Sequence, residues 1–327
     1  MRLGIMGTNF IGDRLLEAAE AMDASWGVVE PYAVYSRKRE TGKDFALRHG
    51  ISEERIYTDM EAFFRSGIEA VYVATPNFCH KSHSLAAINA GLHVLCEKPL
   101  ALTAADGREM FLRAEEKGVI LMEAMRPCHD PAWRAVRETL PLIAPVRRVH
   151  LEYCQYSSRY DKFKQGEVLN AFNPALGNAA VMDIGVYPLF VLGMLLGKPL
   201  ATHADSTFLA NGFEGEGHAS FRYDGVLADV TWSKITDSVA PSYILGEGGS
   251  ITVDKVSTPA AVTLTLRGGD ARSLPVRKEE NNMDYELEAF LRLVGSSAEE
   301  YAKYRACSET ALEILDAVRE SAGIRFV

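Results

Sequence analysis

The chain has 327 residues, a length that at about 150 residues per domain predicts two domains. Its 47% hydrophobic and 24% charged residues exclude a disordered or low-complexity protein. With 35 Lys and Arg against 44 Asp and Glu, the net charge of −9 would repel phosphate backbones, which excludes a nucleic-acid-binding protein.

Three further features predict a soluble, cytoplasmic protein. No apolar run approaches the ~20 residues of a membrane span, the longest being Leu189–Leu196. Met1–Gly7 has the pattern of a buried strand, so we expect no signal peptide ahead of the fold. The five cysteines are scattered, which predicts neither a disulfide framework nor a metal site.

The first 123 residues alternate short apolar runs with amphipathic segments. This alternation predicts a doubly wound parallel sheet, a dinucleotide-binding architecture. The expected strands are Leu3–Met6, Tyr32–Tyr35, Ala70–Ala74, His93–Cys96 and Val119–Met122. The expected helices are Phe10–Met22, Arg39–His49, Met60–Arg65, Lys81–Ala90 and Ala104–Lys117.

Residues 124–327 have a different pattern and predict a second domain of mixed helices and antiparallel strands. It begins with a helix, a long strand and an apolar helix, expected at Pro131–Leu140, Arg148–Tyr156 and Ala179–Leu196. Further strands are expected at His218–Tyr223, Val226–Trp232, Ser242–Leu245, Ser250–Val253 and Ala261–Leu266. Two helices, Tyr285–Val294 and Glu300–Ser321, close the chain.

A glycine-containing turn follows the first strand and opens the first helix. In a dinucleotide site such a turn lets the backbone approach the pyrophosphate, which the helix N-terminus binds. Asn9 stands where the second glycine is usual, and asparagine tolerates positive φ. An ordinary strand-to-helix turn is the alternative. The residues concerned are Gly7, Thr8, Asn9, Phe10, Ile11 and Gly12.

The second strand ends at Tyr35 and is followed by Ser36, Arg37 and Lys38. Sites for NAD usually carry an acidic residue here for the ribose 2′-hydroxyl, whereas arginine favours a 2′-phosphate. The placement therefore favours NADP(H) over NAD(H). Arg37 could also stack on the adenine, and a solvated basic helix start is the alternative without function.

Two later strand ends complete the expected cofactor site. Thr75, Pro76, Asn77 and His80 follow the strand ending at Ala74, although asparagine beside proline is also ordinary turn chemistry. Glu97, Lys98 and Pro99 follow the next strand. A charged pair at the end of a buried strand is costly unless satisfied, so Lys98 is either functional or ion-paired with Glu97. The proline predicts an irregular backbone, because an X–Pro peptide bond can adopt the cis form.

These segments resemble the Gfo/Idh/MocA oxidoreductase family over nearly the whole chain. The resemblance rests on Gly7-x-Asn9-x-x-Gly12, Ser36-Arg37, Ala74-Thr75-Pro76-Asn77-x-x-His80, Ala90-Gly91-x-His93-Val94-x-x-Glu97-Lys98-Pro99 and Met182-Asp183-Ile184-Gly185-Val186-Tyr187-Pro188. The last segment, with Tyr156–Asp161 and Ala322–Phe326, is similar to the dihydrodiol and sugar dehydrogenase-like branch. Asn9, Leu92 and Gly177-Asn178-Ala179 depart from the family pattern.

The resemblance implies a Rossmann domain followed by an open, mostly antiparallel sheet with helices on one face. It also implies a homodimer formed through that sheet, and a last helix, residues 300–322, that packs back on the nucleotide domain. Lys98 corresponds to the family's active-site lysine, while Asp183 and Tyr187 match the positions where relatives carry Asp and either His or Tyr, and we expect all three to be catalytic. The implied reaction is hydride transfer between nicotinamide and a carbon that bears a hydroxyl or carbonyl group.

The residues themselves are consistent with this chemistry. Asp183 and Tyr187 are four apart and share a helical face, and Pro188 predicts a local irregularity. A buried, hydrogen-bonded tyrosine in a core helix is the alternative. A nearby ammonium stabilises a phenolate, so Lys98 and Tyr187 could form an acid–base pair, with the proton carrier undecided. Asp183 would bind a substrate hydroxyl and keep Lys98 charged.

Polar and aromatic side chains after the first strand of the second domain suit a sugar or polyol. The candidate substrate residues there are Tyr156, Arg159, Tyr160 and Asn170, although an exposed loop without function is an equal alternative for each of them. Arg126, just past the domain boundary, is a further candidate. The leading hypothesis is an NADP-dependent dehydrogenase acting on a sugar, polyol or cyclic diol. A nicotinamide-binding regulator without turnover, and an enzyme that recycles a tightly held nicotinamide, are the other two.

Overall fold

The structure, a computed structural model, describes residues 1–22, 25, 27–276 and 279–326. The chain forms two compact units. The first comprises Met1–Met125 together with Glu279–Ala306, and the second comprises Arg126–Lys278 and Cys307–Val327.

The first unit is built on a parallel sheet of six strands in the order β3-β2-β1-β4-β5-β6. The order reverses between β1 and β4, and ligands of doubly wound sheets bind at the carboxyl edge beside such a reversal. The strands are β1 (Arg2–Met6), β2 (Glu30–Tyr35), β3 (Ile56–Tyr57), β4 (Ala70–Val73), β5 (His93–Glu97) and β6 (Leu121–Ala124).

Helices connect consecutive strands, and the predicted doubly wound class is confirmed. Helix α5 has the predicted bounds because local signals mark both of its ends: Thr103 Oγ1 accepts from the Asp106 N–H (3.1 Å), and Gly118 adopts φ 65°. The two-residue strand β3 had no apolar run to predict it. The helices are α1 (Phe10–Ala21), α2 (Arg39–Arg48), α3 (Met60–Phe64), α4 (His80–Asn89) and α5 (Ala104–Lys117).

Residues 279–306 return to the first unit, whereas the sequence interpretation assigned 124–327 to one domain and expected only the last helix to return. Helix α10 (Met283–Val294) packs on α1, beside a 2.8 Å hydrogen bond from Asn281 Nδ2 to the Arg14 carbonyl. A further helix runs over Ala298–Ser321. Near its start, the hydroxyl groups of Tyr301 and Tyr304 bond to the backbone of β6.

The second unit contains an eight-stranded sheet in the order β14-β13-β12-β11-β7-β10-β9-β8. All neighbours are antiparallel except β7 and β10, which confirms the predicted mostly antiparallel sheet. The strands are β7 (Val146–Cys154), β8 (Ala201–Phe208), β9 (Glu214–Tyr223), β10 (Val226–Ser233), β11 (Ser242–Gly246), β12 (Gly249–Val253), β13 (Val262–Leu266) and β14 (Ala271–Ser273).

Strands β8 and β14 form the two edges of this sheet, and the sequence interpretation did not include them. β8 buries only Ala204 and β14 buries no residue, so neither has an apolar run. The helices of this unit include α6 (Arg126–His129), α7 (Pro131–Ile143), α8 (Tyr160–Lys164) and α9 (Val186–Leu196). The closing helix over Ala298–Ser321 is α11.

Pro174–Leu196 is a helical stretch long and apolar enough, by composition, to cross a membrane. An expectation based on uninterrupted apolar runs misses this stretch, because polar residues such as Asp183 divide it into shorter runs. In the structure, 72% of the most apolar 18 residues of this stretch is buried inside the protein, as is common for a core helix.

Candidate functional site

The turn after β1 brings two backbones close together. Gly7 adopts φ 110°, and a Cβ placed on it would lie 2.5 Å from the carbonyl oxygen of Ala74. Only glycine accommodates both this conformation and this approach. The turn therefore joins the ends of β1 and β4, the two strands beside the reversal in sheet order.

Asn9 caps helix α1 in an extended conformation, φ −89° and ψ 172°, so the positive φ considered for it is not used. Its Oδ1 accepts from the N–H groups of Ile11 (3.2 Å) and Gly12 (3.4 Å), and its Nδ2 donates to the Ala74 carbonyl (2.9 Å). An asparagine side chain can make these contacts and a glycine cannot, which is a physical reason for this departure from the family pattern. Thr8 is half-buried, and the neighbouring Phe10 is exposed.

The end of β2 carries exposed cations. Ser36 is buried with its Oγ 2.6 Å from Thr41 Oγ1, while Arg37 and Lys38 are exposed. Burial raises the pKa of the Cys79 thiol, and the positive charge of Arg37 opposes that rise. Burial likewise lowers the pKa of His83, and Arg37 contributes to that lowering. Arg37 therefore lies near the residues that follow β4.

His80 connects the turns that follow β4 and β5. Its Nδ1 lies 2.8 Å from the Pro99 carbonyl and its Nε2 lies 2.8 Å from the Thr75 carbonyl. The ring is fully buried, and this burial lowers its pKa. His80 is one of the residues predicted to contact the cofactor. In the structure both of its ring nitrogens lie within hydrogen-bonding distance of the backbone carbonyl groups of these two turns. Pro76 and Asn77 form the short turn that leads into α4.

Lys98 lies on a turn that buried groups hold in place. The peptide bond between Lys98 and Pro99 is cis, as the sequence suggested. The buried Glu97 carboxylate accepts from the Tyr72 hydroxyl and from the Lys98 backbone N–H (3.3 Å). On the far side of the proline, the Leu100 N–H donates to Glu123 Oε1 (2.9 Å). Backbone and side chains therefore fix the position of Lys98.

The residues of the first unit fit a nicotinamide dinucleotide. Gly7 permits close backbone approach, the start of α1 can face a pyrophosphate, and cations follow β2. Among the described residues, no group of three His, Cys, Asp or Glu side chains is arranged to hold a metal ion.

In the second unit, Asp183 lies in a π-helical turn, Val181–Gly185, that leads directly into α9 with Tyr187. The predicted irregularity is confirmed: Pro188 has no N–H to donate to the preceding turn, and such π turns are frequent at functional sites. Gly185 allows this turn to pack on the sheet, because a Cβ there would lie 2.9 Å from the Trp232 ring.

Asp183 pairs with a lysine that the sequence interpretation did not single out. Lys234 Nζ lies 2.6 Å from Asp183 Oδ2, and the lysine side chain is only 5% exposed against 39% for the aspartate. Residues Ala228, Val230 and Trp232 of β10 are buried in alternation. The same period of two places Lys234 on the buried face, so strand alternation could have identified it.

Tyr187 contacts one of the predicted substrate residues. Arg126 Nη2 donates to the Tyr187 hydroxyl (2.9 Å), and the guanidinium carbon lies 5.5 Å from the ring centre. Tyr153 packs against the same ring at 5.6 Å between centroids. The structure therefore brings Arg126 and Tyr187 together, with a positive charge beside the phenol oxygen.

Tyr156 and Tyr160 lie on a small network at α8. The Tyr156 hydroxyl donates to Asp161 (2.7 Å) and accepts from Lys164 (2.6 Å), and the hydrogen bond from Lys164 lowers the pKa of Asp161. Tyr160 lies in edge contact with Tyr156 and stacks on Phe172 (5.7 Å). The two tyrosines therefore form one cluster.

The other two predicted substrate residues lie on neighbouring segments. Arg159 precedes α8 and is exposed. Asn170 begins a short 3-10 turn, and its carbonyl accepts from Asn178 Nδ2 (2.7 Å). Asn178 belongs to the segment that departs from the family pattern, so this departure anchors the Asn170 turn.

Glu214 was also missed by the sequence interpretation. It is buried on β9, accepts from the Val181 N–H (2.8 Å) and Trp232 Nε1 (2.7 Å), and so holds the start of the π turn. Burial raises the pKa of its carboxyl group to about 7. No local pattern distinguishes it from the other strand glutamates.

Comparison with known proteins agrees with this architecture. Residues 1–125 match the model of an oxidoreductase family with an NAD-binding Rossmann fold, and residues 142–252 match the GFO/IDH/MocA C-terminal domain. The chain is 38% identical over 328 residues to the scyllo-inositol 2-dehydrogenase (NADP(+)) IolU of Bacillus subtilis, covering 99% of this chain and 98% of the relative. It is 26% identical over 341 residues to trans-1,2-dihydrobenzene-1,2-diol dehydrogenase of Mus musculus, covering 100% and 98% respectively.

A solved structure shows the same architecture over the whole chain. The crystal structure of a 3-ketoreductase from Actinomadura kijaniata, in complex with NADP and TDP-benzene, matches with a TM-score of 0.83 at 26% identity and covers 98% of each chain. Because the relatives span nearly the full length and both domain models match, this chain belongs to the Gfo/Idh/MocA family of NAD(P)-dependent oxidoreductases.

Proposed function

We propose that the chain is an NADP-dependent dehydrogenase that transfers hydride between nicotinamide and a CH–OH or C=O carbon of a sugar, polyol or cyclic diol. The observation that carries the proposal is the turn after β5. There Glu97, His80 and Glu123 hold Lys98 beside a cis-proline, at the sheet edge where doubly wound folds bind dinucleotides.

The relatives support the substrate class. By their names, the Bacillus relative acts on scyllo-inositol and the mouse relative on a dihydrobenzene diol. Both compounds are rings that carry hydroxyl groups. Asp183 and the Tyr156–Tyr160 cluster offer the acceptors and ring faces that bind such a compound.

The bound nicotinamide supplies the hydride acceptor or donor, and the chain supplies the proton chemistry. We propose that either Lys98 or Tyr187 takes the proton that the substrate hydroxyl loses as the adjacent carbon loses hydride. A donor that bonds to the same oxygen stabilises the charge that develops on it. Arg126 donates a hydrogen bond to the Tyr187 hydroxyl and so fixes the position of that oxygen. Asp183 accepts from a neighbouring hydroxyl and orients the ring.

The preference for NADP rests on the end of β2. Ser36, Arg37 and Lys38 follow this strand, with no carboxylate among them. Cations at this position suit a ribose 2′-phosphate. The Bacillus relative is NADP(+)-dependent by its name, and the ketoreductase structure contains NADP.

The direct test combines nucleotide binding with a substrate panel. NADPH and NADH are titrated into the cofactor-free protein, and NADP⁺ reduction is then assayed with inositols, aldoses and cyclic diols. Tighter NADPH binding together with turnover of one hydroxylated ring supports the proposal. Binding without turnover of any of these compounds would contradict it and favour a nucleotide sensor.

We also propose that the chain forms a homodimer through its eight-stranded sheet. Polar side chains share one face of the central strands: the exposed Arg148 pairs with the half-buried Asp229 at 3.0 Å, and the half-buried His150 lies between Asp229 and Glu152. The exposed Leu227 and Leu245 flank Arg148 on both neighbouring strands. Sedimentation equilibrium of the wild type and of Arg148→Glu tests this, with dimer and monomer expected respectively. A monomeric wild type would contradict it.

A further inference from the structure

Lys234 is a buried cation at the end of β10. Buried lysines are rare, because removing an ammonium from water is costly unless the charge is paired. Here Nζ donates to Asp183 Oδ2 (2.6 Å) and to the Ala171 carbonyl (3.1 Å). It also lies 5.0 Å from the ring centre of Phe172 and 5.6 Å from that of Phe213, within the range of cation–π attraction.

The backbone of Lys234 also makes two hydrogen bonds. Its N–H donates to the Gly215 carbonyl (2.9 Å), and its own carbonyl accepts from the Ser157 N–H (2.9 Å). Ser157 follows Tyr156 directly, and Ala171 follows Asn170. One residue thus connects the Tyr156–Tyr160 segment, the Asn170–Phe172 turn and Asp183.

The exposure of the ion pair is asymmetric. The lysine side chain is 5% exposed and the aspartate side chain 39% exposed. A pair that served only the core would bury both partners. Here the lysine is covered while more than a third of the aspartate side chain is exposed, which is the arrangement expected of an acceptor for a substrate hydroxyl.

We propose that Lys234 is a positioning residue for the substrate: its charge fixes the Asp183 carboxylate and the Asn170–Phe172 turn, and thereby sets the affinity for a hydroxylated ring. The inference rests on the proposed function, because it assigns Asp183 to substrate binding. In this proposal Lys234 acts through Asp183 and the Ala171 carbonyl, to which its ammonium donates, so its loss acts on KM more than on kcat.

The test compares Lys234→Met with Lys198→Met. Lys198 also pairs with a carboxylate, Glu313 at 2.8 Å, but on the surface of the same unit. Steady-state kinetics use the substrate found for the wild type, while thermal unfolding and NADPH titration verify the fold and the nucleotide site. We expect K234M to raise KM at least tenfold and to change kcat less than threefold, with NADPH affinity unchanged. K198M should match the wild type, and Lys234→Arg, which keeps the charge, should restore most of the lost affinity.

The outcomes separate this inference from the function on which it rests. If the wild type turns over none of the compounds, the proposed function itself is wrong. If the wild type is active and K234M folds, a KM of K234M within twofold of the wild-type value overturns the role of Lys234 alone. A K234M variant that loses only kcat overturns it as well. If K234M does not fold, Lys234→Gln carries the same test, because it keeps a hydrogen-bond donor and removes only the charge.

Discussion

The side-chain amide of Asn9 donates to the Ala74 carbonyl at 2.9 Å, so the residue in place of the second glycine connects the ends of β1 and β4. The same side chain caps α1 through its Oδ1. Asn9 is therefore a local stabilising residue of the nucleotide turn.

Asn9→Ala is expected to destabilise the protein by about 1 kcal/mol, since it removes the cap. Asn9→Gly should destabilise it by only about a few tenths of a kcal/mol. Glycine also leaves the Ile11 and Gly12 N–H groups available to a pyrophosphate. We therefore expect N9G to bind NADPH at least as tightly as the wild type. Denaturant unfolding and NADPH titration measure both effects. Weaker binding by N9G would show that the asparagine itself contacts the nucleotide.

Arg37→Ala is expected to weaken NADPH binding at least tenfold, since a charged hydrogen bond contributes about 1.5–3 kcal/mol. NADH binding should change less than about threefold, because NADH lacks the 2′-phosphate. Fluorescence titration with both nucleotides provides the measurement, and Lys38→Ala is the matched control with a smaller expected effect. Equal weakening of both nucleotides would instead indicate that Arg37 stacks on the adenine.

Lys98→Met should leave NADPH affinity nearly unchanged and reduce turnover by ~10²-fold or more, because it removes a group that acts on the reacting oxygen. Tyr187→Phe, which removes only the hydroxyl bonded to Arg126, distinguishes the two candidate proton carriers. A large loss of kcat in K98M beside a nearly unchanged kcat in Y187F identifies the lysine as the carrier, and the reverse pattern identifies the tyrosine. Full activity in K98M would exclude the lysine from the reaction.

Glu214 predicts a pH dependence of stability. Burial raises its pKa from an ordinary 4.5 to about 7, so between these values the folded state holds a proton that the unfolded state releases. Its contribution to stability therefore falls as pH rises from about 5 to 7, by up to ~3 kcal/mol in total. Glu214→Gln lacks this titration, so its stability relative to the wild type should improve between pH 5 and pH 8. Chemical denaturation at several pH values tests this. A constant difference between the two proteins would contradict it.

The sequence by itself determined the doubly wound class of residues 1–125, but not the return of residues 279–306 to the first unit. Strands buried on both faces have continuous apolar runs, and local signals such as Thr103 and Gly118 mark where a helix begins and ends. The same local chemistry predicted the irregular turn before Pro188 and the irregular backbone at Lys98. Strands β8 and β14 were missed because edge strands bury too little to show a pattern.

Only the tertiary structure decided which side chains hold the candidate catalytic residues. Lys234 reaches Asp183 across 51 positions of sequence, Arg126 reaches Tyr187 across 61, and Glu214 reaches Val181 across 33. Local periodicity identifies the face of a strand or helix on which a residue lies, but not the partner that long-range packing brings to it. For the buried Lys234 and Glu214, desolvation makes such a partner necessary, and the fold alone determines which group provides it.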